Sequence, residues 1–474
     1  MTKPIVPILL LATLLGGCAT MEPHYVRPDR AIPPALPTGP AYPAPGAGGP
    51  AWAGVGWSDF FADPRLKQVI AAALANNRDL RIAIANIEKA RAQYRIQRSA
   101  LIPQVTGQAS ATYGETSANS ETIPGLTGVR SNDESYALSL GVSSYELDLW
   151  GRVRSLNKES LEQYLSTEES RRATQISLIS ETATAWLTLA SDRTGLDVAQ
   201  RTLASAQASV DVTVKRFSGG IASQLDVRQA ETIAQQARAQ VAQSITSIAQ
   251  DQNALQLLVG APVPDALQPT ALDDNVALLT ALPTNLDSRV LLTRPDVVSA
   301  EHQLRAANFD IGATRAAFFP TISLTGSAGL ASTSLSSLFT GGSTNWSVSP
   351  SVTLPFLNIG KLKAQLDQSK AEKAVQVATY EKALQTAFRE VADALARRGT
   401  IDEEVAADQA VVAAAADSLR LSTLRYAHGS DTYLNVLDAQ RTLYSAEQTL
   451  VAARLTRAAN MVTLYQVLGG GLSQ

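Results

Sequence analysis

Four stretches of the chain alternate between apolar or small residues and polar ones with a period of two. In the first, Val105, Gly107, Ala109, Ala111 and Tyr113 interleave with Gln104, Thr106, Gln108, Ser110 and Thr112. In the second, Tyr136, Leu138, Leu140 and Val142 interleave with Ser135, Ala137, Ser139, Gly141 and Ser143. The third runs through Ile322, Leu324, Gly326, Ala328 and Leu330, and the fourth through Trp346, Val348, Pro350, Val352 and Leu354. Such alternation reads as strands with one apolar and one wet face. It predicts strands at about 104–114, 135–147, 321–331 and 346–354.

The remainder follows a helical period. Leu66, Val69, Ile70, Ala73, Leu74, Leu80, Ile84 and Ile87 recur near helical spacing after Asp63 and Pro64, a cap and a first-turn proline. This predicts helix over 64–100, stopped by Pro103. From Val153 no proline occurs until Pro262, and the one break is Ser218-Gly219-Gly220. A helix from Val153 to Phe217 is on the order of 95 Å long at 1.5 Å per residue. Tyr380, Leu384, Ala387, Val391 and Leu395 mark a narrow apolar stripe on a later helix over 361–426.

Two stretches repeat one another 209 positions apart: Arg216–Glu231 and Arg425–Gln440. Arg216 matches Arg425, Phe217 matches Tyr426, Gly220 matches Gly429 and Leu225 matches Leu434. Each joins two long helical segments through a glycine, as a helical hairpin tip requires. Pro320 matches Pro103 at an offset of 217, so the loop between the second pair of strands is eight residues shorter. The chain therefore reads as an internal duplication. The first repeat spans 59–262 with its tip at about 216–224. A linker follows over 263–293. The second repeat spans 294–474 with its tip at about 425–433.

The N-terminal region differs. Residues 1–17 carry Lys3, an apolar run from Ile5 to Leu15 and small residues, and read as a signal peptide. The run is short for a membrane span. Leu15-Gly16-Gly17-Cys18 has the form of a bacterial lipobox, which makes Cys18 an acylated N-terminus and anchor. Ala19 follows where an aspartate would indicate inner-membrane retention. Residues 18–58 hold nine prolines between 23 and 50 and form an extended tether.

Composition narrows the chemistry. A net charge of -3 gives no reason to expect a nucleic-acid partner or a charged substrate. One cysteine excludes an intramolecular disulfide, and three scattered histidines make no metal site. No nucleophile elbow, P-loop or other catalytic spacing is present, so neither an enzyme nor a cofactor is expected. Few aromatics and many alanines suit slender, closely packed helices.

Four half-apolar strands of about ten residues match the statistics of transmembrane β-strands. Four cannot close a barrel, and an open edge in lipid leaves backbone groups unsatisfied at several kcal/mol each. Three copies supply twelve strands, enough for a water-filled lumen. The fold expected is a mixed α and β membrane protein: a trimer with a 12-stranded β-barrel, four strands per chain, whose long helices form a hollow helical barrel coaxial with the strands.

The chain resembles the outer membrane efflux proteins of the TolC family, in the lipoprotein branch that serves RND-type pumps. The resemblance rests on Pro23-His24-Tyr25-Val26-Arg27-Pro28, Trp57 with Asp63-Pro64-Arg65-Leu66, Ala75–Leu80 and Tyr145–Arg152. It also rests on Phe318-Phe319-Pro320, Leu354-Pro355-Phe356 and both tip motifs. It implies a trimeric channel-tunnel, a lipid-anchored homotrimer with its β-barrel in the outer membrane and a long periplasmic α-helical barrel, which docks a periplasmic adaptor and an inner-membrane pump at its tips and exports small molecules such as drugs.

The resemblance also implies a periplasmic gate at the tips. It carries over Asp226 in the first half and Leu434, Asn435 and Asp438 in the second, with Tyr426 and Arg441 as bonding partners. Gly220 and Gly429 become the turns that touch the adaptor. Some family members have aspartate where Asn435 stands and arginine where Asp431 stands. On a threefold axis each carboxylate repeats three times, and such a ring favours cations. Trp150 and Trp346 fit either an interfacial belt or ordinary packing. Two further readings use the same architecture: the outlet of a type I protein-secretion system and metal-ion efflux.

Overall fold

In the computed structural model the alternating segments pair into one antiparallel sheet of order β1-β2-β3-β4. The structure describes residues 20–29, 31–43, 56–116, 131–272 and 288–470. The signal stretch and Cys18 lie outside the described residues, as do 117–130 and 273–287. Apart from one short turn of helix at Trp57–Phe60, the α-helices among the described residues are α1 (Pro64–Asn76), α2 (Arg78–Ser99), α3 (Arg152–Ser218), α4 (Gln224–Val259), α5 (Pro295–Ala316), α6 (Ile359–Ala427) and α7 (Tyr433–Val467). The strands are β1 (Val105–Thr116), β2 (Ser131–Glu146), β3 (Thr321–Ser332) and β4 (Thr344–Thr353). Helices α3 and α6 contain 67 and 69 residues, about 100 Å each at 1.5 Å per residue. No helix among the described residues is long and apolar enough to cross a membrane.

The chain divides into two units. The first combines residues up to 28, 87–167 and 300–380 and contains the sheet. Register aligns its apolar positions. Leu138 pairs with Ala109 on one side and Leu330 on the other, and Ala328 pairs with Trp346. Directly opposed residues share a face, so one apolar face runs unbroken across four strands. That face is uncovered: Leu140 is 63% and Trp346 76% exposed. The other face carries cross-strand serine pairs, Ser323 with Ser351 at 2.7 Å and Ser327 with Ser347 at 2.9 Å.

One feature of β2 departs from simple alternation. The register slips between Val142 and Tyr145, where Ser144 adopts φ 55°. This bulge inserts one residue and returns Tyr145 to the apolar row opposite Leu324. Past the strand, Trp150 Nε1 donates to the Pro320 carbonyl at 2.9 Å and its ring packs on Phe319.

The proline-rich tether is ordered over 20–28. Asn308 Nδ2 donates to the Pro23 carbonyl at 2.8 Å, and Lys158 pairs with Glu22 at 2.7 Å. Arg27, Tyr25 and Arg305 all donate to the buried carboxylate of Glu301. Burial alone raises the Glu301 pKa, but its bonds to Arg27 and Arg305 hold it below the usual carboxylate range. The backbone of Glu22 crosses Gly312 so closely that a Cβ there would meet its Cα at 2.9 Å.

Glu159, in the same unit, is the opposite case. Burial, reinforced by the nearby Asp310 carboxylate, pushes its pKa up to about 7. The protonated form is favoured on folding, so this group costs nothing well below pH ~4.5, destabilises progressively as pH rises from ~4.5 to ~7, and keeps its full cost above that. Glu159→Gln keeps an acceptor for Gln163. We expect it to raise stability at pH 8 by about 1–2 kcal/mol after allowance for partial exposure, and to change nothing at pH 4.5. Thermal unfolding of the purified protein at both pH values checks this; an equal shift at the two would rule it out.

The second unit combines residues 29–86, 168–299 and 381 onward. Its core holds Phe60, Phe61 and Tyr465 in mutual ring contact, with Leu66, Val69, Ile70 and Ala73 of α1. Trp186 is buried and donates to the Leu267 carbonyl at 3.0 Å. The helical run 64–100 is two helices, not one. Asn77 interrupts it: its Oδ1 caps Leu80 N–H at 2.8 Å while Nδ2 donates to the Leu258 carbonyl at 2.8 Å. A buried asparagine that finds both partners outcompetes one more turn of helix.

Candidate functional site

The two hairpin tips lie in the second unit. Each begins with a glycine at positive φ, Gly220 at 74° and Gly429 at 76°. That left-handed conformation is the one glycine adopts without a Cβ penalty. The closing bonds are equivalent: Ile221 N–H donates to the Arg216 carbonyl and Ser430 N–H to the Arg425 carbonyl, both at 2.9 Å. Among the described residues, and apart from each glycine's own chain neighbours, no atom lies within 4 Å of where a Cβ on either glycine would stand. The turns are free surfaces in the single chain.

The helices that leave the tips start differently. At α4, Ser223 Oγ accepts from Asp226 N–H at 3.1 Å, while the Asp226 carboxylate accepts from Ser223 N–H at 2.8 Å. This reciprocal box satisfies two orphan donors. The equivalent positions at α7 are Thr432 and Asn435, and the box is absent. Asp431 takes over: it accepts from Thr432 N–H at 2.8 Å and from Asn435 Nδ2 at 2.5 Å, and pairs with Arg425 at 3.1 Å. Those bonds, the Thr432 N–H first, hold its pKa below the usual carboxylate range. Asp226 and Asn435 are thus engaged in capping.

The remaining gate candidates separate onto two faces. Leu434 is 61% exposed, and Asp438 and Arg441 are exposed as well. Their spacing of four and three sets them on one stripe of α7. Val436, Leu437 and Tyr433 are buried on the other side with Ala230 of α4. Tyr426 faces inward. Its ring lies 5.1 Å from that of Tyr433.

The sequence reading gave Arg216 no role beyond its place in the repeat, yet this residue ties the two tips. Its Nη1 donates to the Tyr426 carbonyl at 3.0 Å and its guanidinium lies 4.3 Å from the Tyr426 ring centre. Arginine combines a planar cation face with a fork of donors, so one side chain holds both the backbone and the ring of the opposite hairpin. The 209-residue offset carried the available signal: Arg425, its counterpart, bonds within its own tip.

No group of three or more metal-ligating side chains is present among the described residues. The tips supply a turn, a latch and an exposed stripe with an apolar and a charged residue.

The family model described as outer membrane efflux protein matches residues 69–261 and 286–470, two successive segments in keeping with the internal repeat. The chain is 45% identical over 472 residues to the probable efflux pump outer membrane protein TtgC of Pseudomonas putida, covering 99% of this chain and 96% of that one. It shows the same identity and coverage with the antibiotic efflux pump outer membrane protein ArpC of Pseudomonas putida. Among solved structures, the open state of the Neisseria gonorrhoeae MtrE outer membrane channel superposes with a TM-score of 0.83 at 37% identity, covering 96% of this chain and 99% of that one. The chain belongs to the outer membrane efflux protein family, and it serves as the outer membrane channel of an efflux pump, not as an enzyme.

Proposed function

We propose that three copies of this chain form one passive conduit, with twelve strands closing a barrel in the outer membrane and the long helices lining a periplasmic tunnel. The observation that carries this reading is the sheet. Its apolar face is uncovered, and β1 and β4 each pair on one side only among the described residues. A neighbouring copy would satisfy both edges. In this reading the duplicated units are 59–262 and 294–474. Acylated Cys18 anchors the tether, and Gly220 and Gly429 meet a periplasmic adaptor that links the channel to an inner-membrane pump. Asp226, Tyr426, Leu434, Asn435, Asp438 and Arg441 make up the gate region. The relatives' names point to antibiotics, toluene and other solvents as exported compounds, and we infer small lipophilic molecules as the class here.

A strain lacking the gene tests this. Hypersensitivity to several unrelated compounds, restored by the wild-type gene, is the expected result. Normal susceptibility with one missing secreted protein would move the reading to protein secretion. Hypersensitivity to metal ions alone would move it to metal-ion efflux.

A further inference from the structure

The passages between helix and strand in the first unit all lie at one end of the sheet. Val105 at the start of β1 pairs with Val142 near the close of β2, and Thr321 at the start of β3 pairs with Thr353 at the close of β4. Glu146, the last residue of β2, pairs with Ser323 near the start of β3. Helix α2 therefore arrives and α6 departs at this one end, on opposite edges of the sheet. The N-terminal segment is seated here too: a Cβ on Gly151 would stand 2.8 Å from Thr20 Cγ2. Cys18 is two residues away, roughly 7 Å of extended chain. With the apolar face of the sheet in the bilayer and acyl chains on Cys18, this end stands at the membrane surface.

The cations at this level are of two kinds. Those nearest the tether are paired: Arg152 with Glu146, Arg154 with Asp148 and Lys158 with Glu22. Those at the two edges are not. Arg95 and Arg98 on the last turns of α2, and Lys361 and Lys363 on the first turns of α6, are exposed, and none has a hydrogen bond or ion pair with a described residue. The two lysines also stand at the positive end of a helix dipole, where an anion is favoured and a cation is not. Bare apolar side chains accompany both pairs: Ile102, past the end of α2, is 64% exposed, and Leu357, ahead of α6, is 99% exposed. Apolar groups beside unpaired cations at the edge of a lipid-facing surface match the two layers of a membrane interface, acyl chain and phosphate.

A second copy does not answer these charges. In the proposed trimer the free edge of β1 in one copy would meet the free edge of β4 in the next, and the arginines of one α2 would face the lysines of the neighbouring α6. Like charges across such a seam repel, so an anion has to stand between them. We propose, resting on the conduit reading, that an anionic phospholipid binds at each seam between copies. Its phosphate is held by Arg95 and Arg98 on one side and Lys361 and Lys363 on the other, and its acyl chains lie against Ile102 and Leu357. The lipid is the counter-ion that completes the assembly.

Delipidated full-length protein in an uncharged detergent is titrated with phosphatidylglycerol or with phosphatidylcholine of the same acyl chains, and bound lipid is counted by native mass spectrometry. Saturable binding of phosphatidylglycerol is expected, about tenfold or more tighter than phosphatidylcholine and weakened by salt. The variant Arg95→Gln/Arg98→Gln/Lys361→Gln/Lys363→Gln loses that preference, and Arg95→Lys/Arg98→Lys keeps it. These side chains are exposed and unbonded, so both variants fold, as thermal unfolding verifies. Equal affinity for the two lipids, or a preference that survives the four glutamines, would overturn the proposal. So would displacement of phosphatidylglycerol by an equal concentration of inorganic phosphate, which would make this a site for a free anion. Looser assembly of the four-glutamine variant in lipid-free detergent, read by light scattering, would overturn it too, because the neighbouring copy would then be the partner of these cations. Planar-bilayer recordings keep the two readings apart. A conducting wild-type channel without lipid preference removes the lipid seam and leaves the conduit, whereas lipid preference in a chain that carries no current sustains the seam and removes the conduit.

Discussion

Leu434→Ala raises the single-channel conductance of the reconstituted protein several-fold, and Asp438→Ala lowers its preference for cations. Leu434 is a large apolar side chain on the exposed stripe of α7, and Asp438 follows it by four residues. In the proposed trimer a threefold axis would repeat both residues, so that the leucines would narrow the passage and repel water and the carboxylates would form a ring of one sign. Neither side chain supports the fold, because Val436 and Leu437 hold the buried side of this turn; exposed substitutions of this kind change stability within about 0.5 kcal/mol. Asp226 offers a contrast. Its carboxylate closes the capping box of α4, so Asp226→Ala costs about 1 kcal/mol of helix start and mixes loss of charge with loss of structure. Planar-bilayer recordings of the three variants separate these effects. Wild-type conductance and selectivity in both Leu434→Ala and Asp438→Ala would remove these two residues from the gate.

The four antiparallel strands and the long helices were legible in the sequence because each states its period many times over. Val105 to Tyr113 or Ile322 to Leu330 repeats a two-residue rule five times, and no tertiary contact is needed to read it. The tips were legible for a related reason: a glycine between two helical runs is a local instruction, and it is written twice. What stayed hidden depends on distant partners. The bulge at Val142–Tyr145 is fixed by pairing with β3, not by β2 alone. Asn77 breaks a helix only because the Leu258 carbonyl waits for its amide. Composition shows the tether only as extended and names no partner for it, yet Asn308, Lys158 and Glu301 give its backbone and side chains specific partners some 136 to 285 positions away. The Arg216–Tyr426 latch spans 210 positions.

The sheet can be challenged at a single glycine. Gly329→Val removes the folded, heat-modifiable channel from outer membrane preparations, whereas Gly326→Ala leaves it at wild-type yield. Propensity alone argues the reverse for the first, because valine is a strong strand former and glycine a poor one. Sterics decide. Gly329 sits in β3 between Ser139 of β2 and Asn345 of β4. A Cβ there would overlap the Leu138 carbonyl oxygen and stand 2.6 Å from Ser139 Cα. Those are backbone atoms, held by the ladder, so relief requires β2 and β3 to part. A cost of at least about 3 kcal/mol follows, on a sheet that burying its apolar face in lipid would otherwise stabilise. At Gly326 the nearest atoms to a Cβ are the Ser347 carbonyl oxygen at 3.6 Å and Val348 Cγ2 at 4.0 Å, which is ordinary contact, and alanine reduces the entropy lost by glycine on folding. Electrophoretic mobility of unheated against boiled samples reads the folded fraction directly. A Gly329→Val channel with wild-type yield and mobility would mean that β2 and β3 are not paired in this register, and with that the continuous apolar face on which the barrel reading rests would be lost.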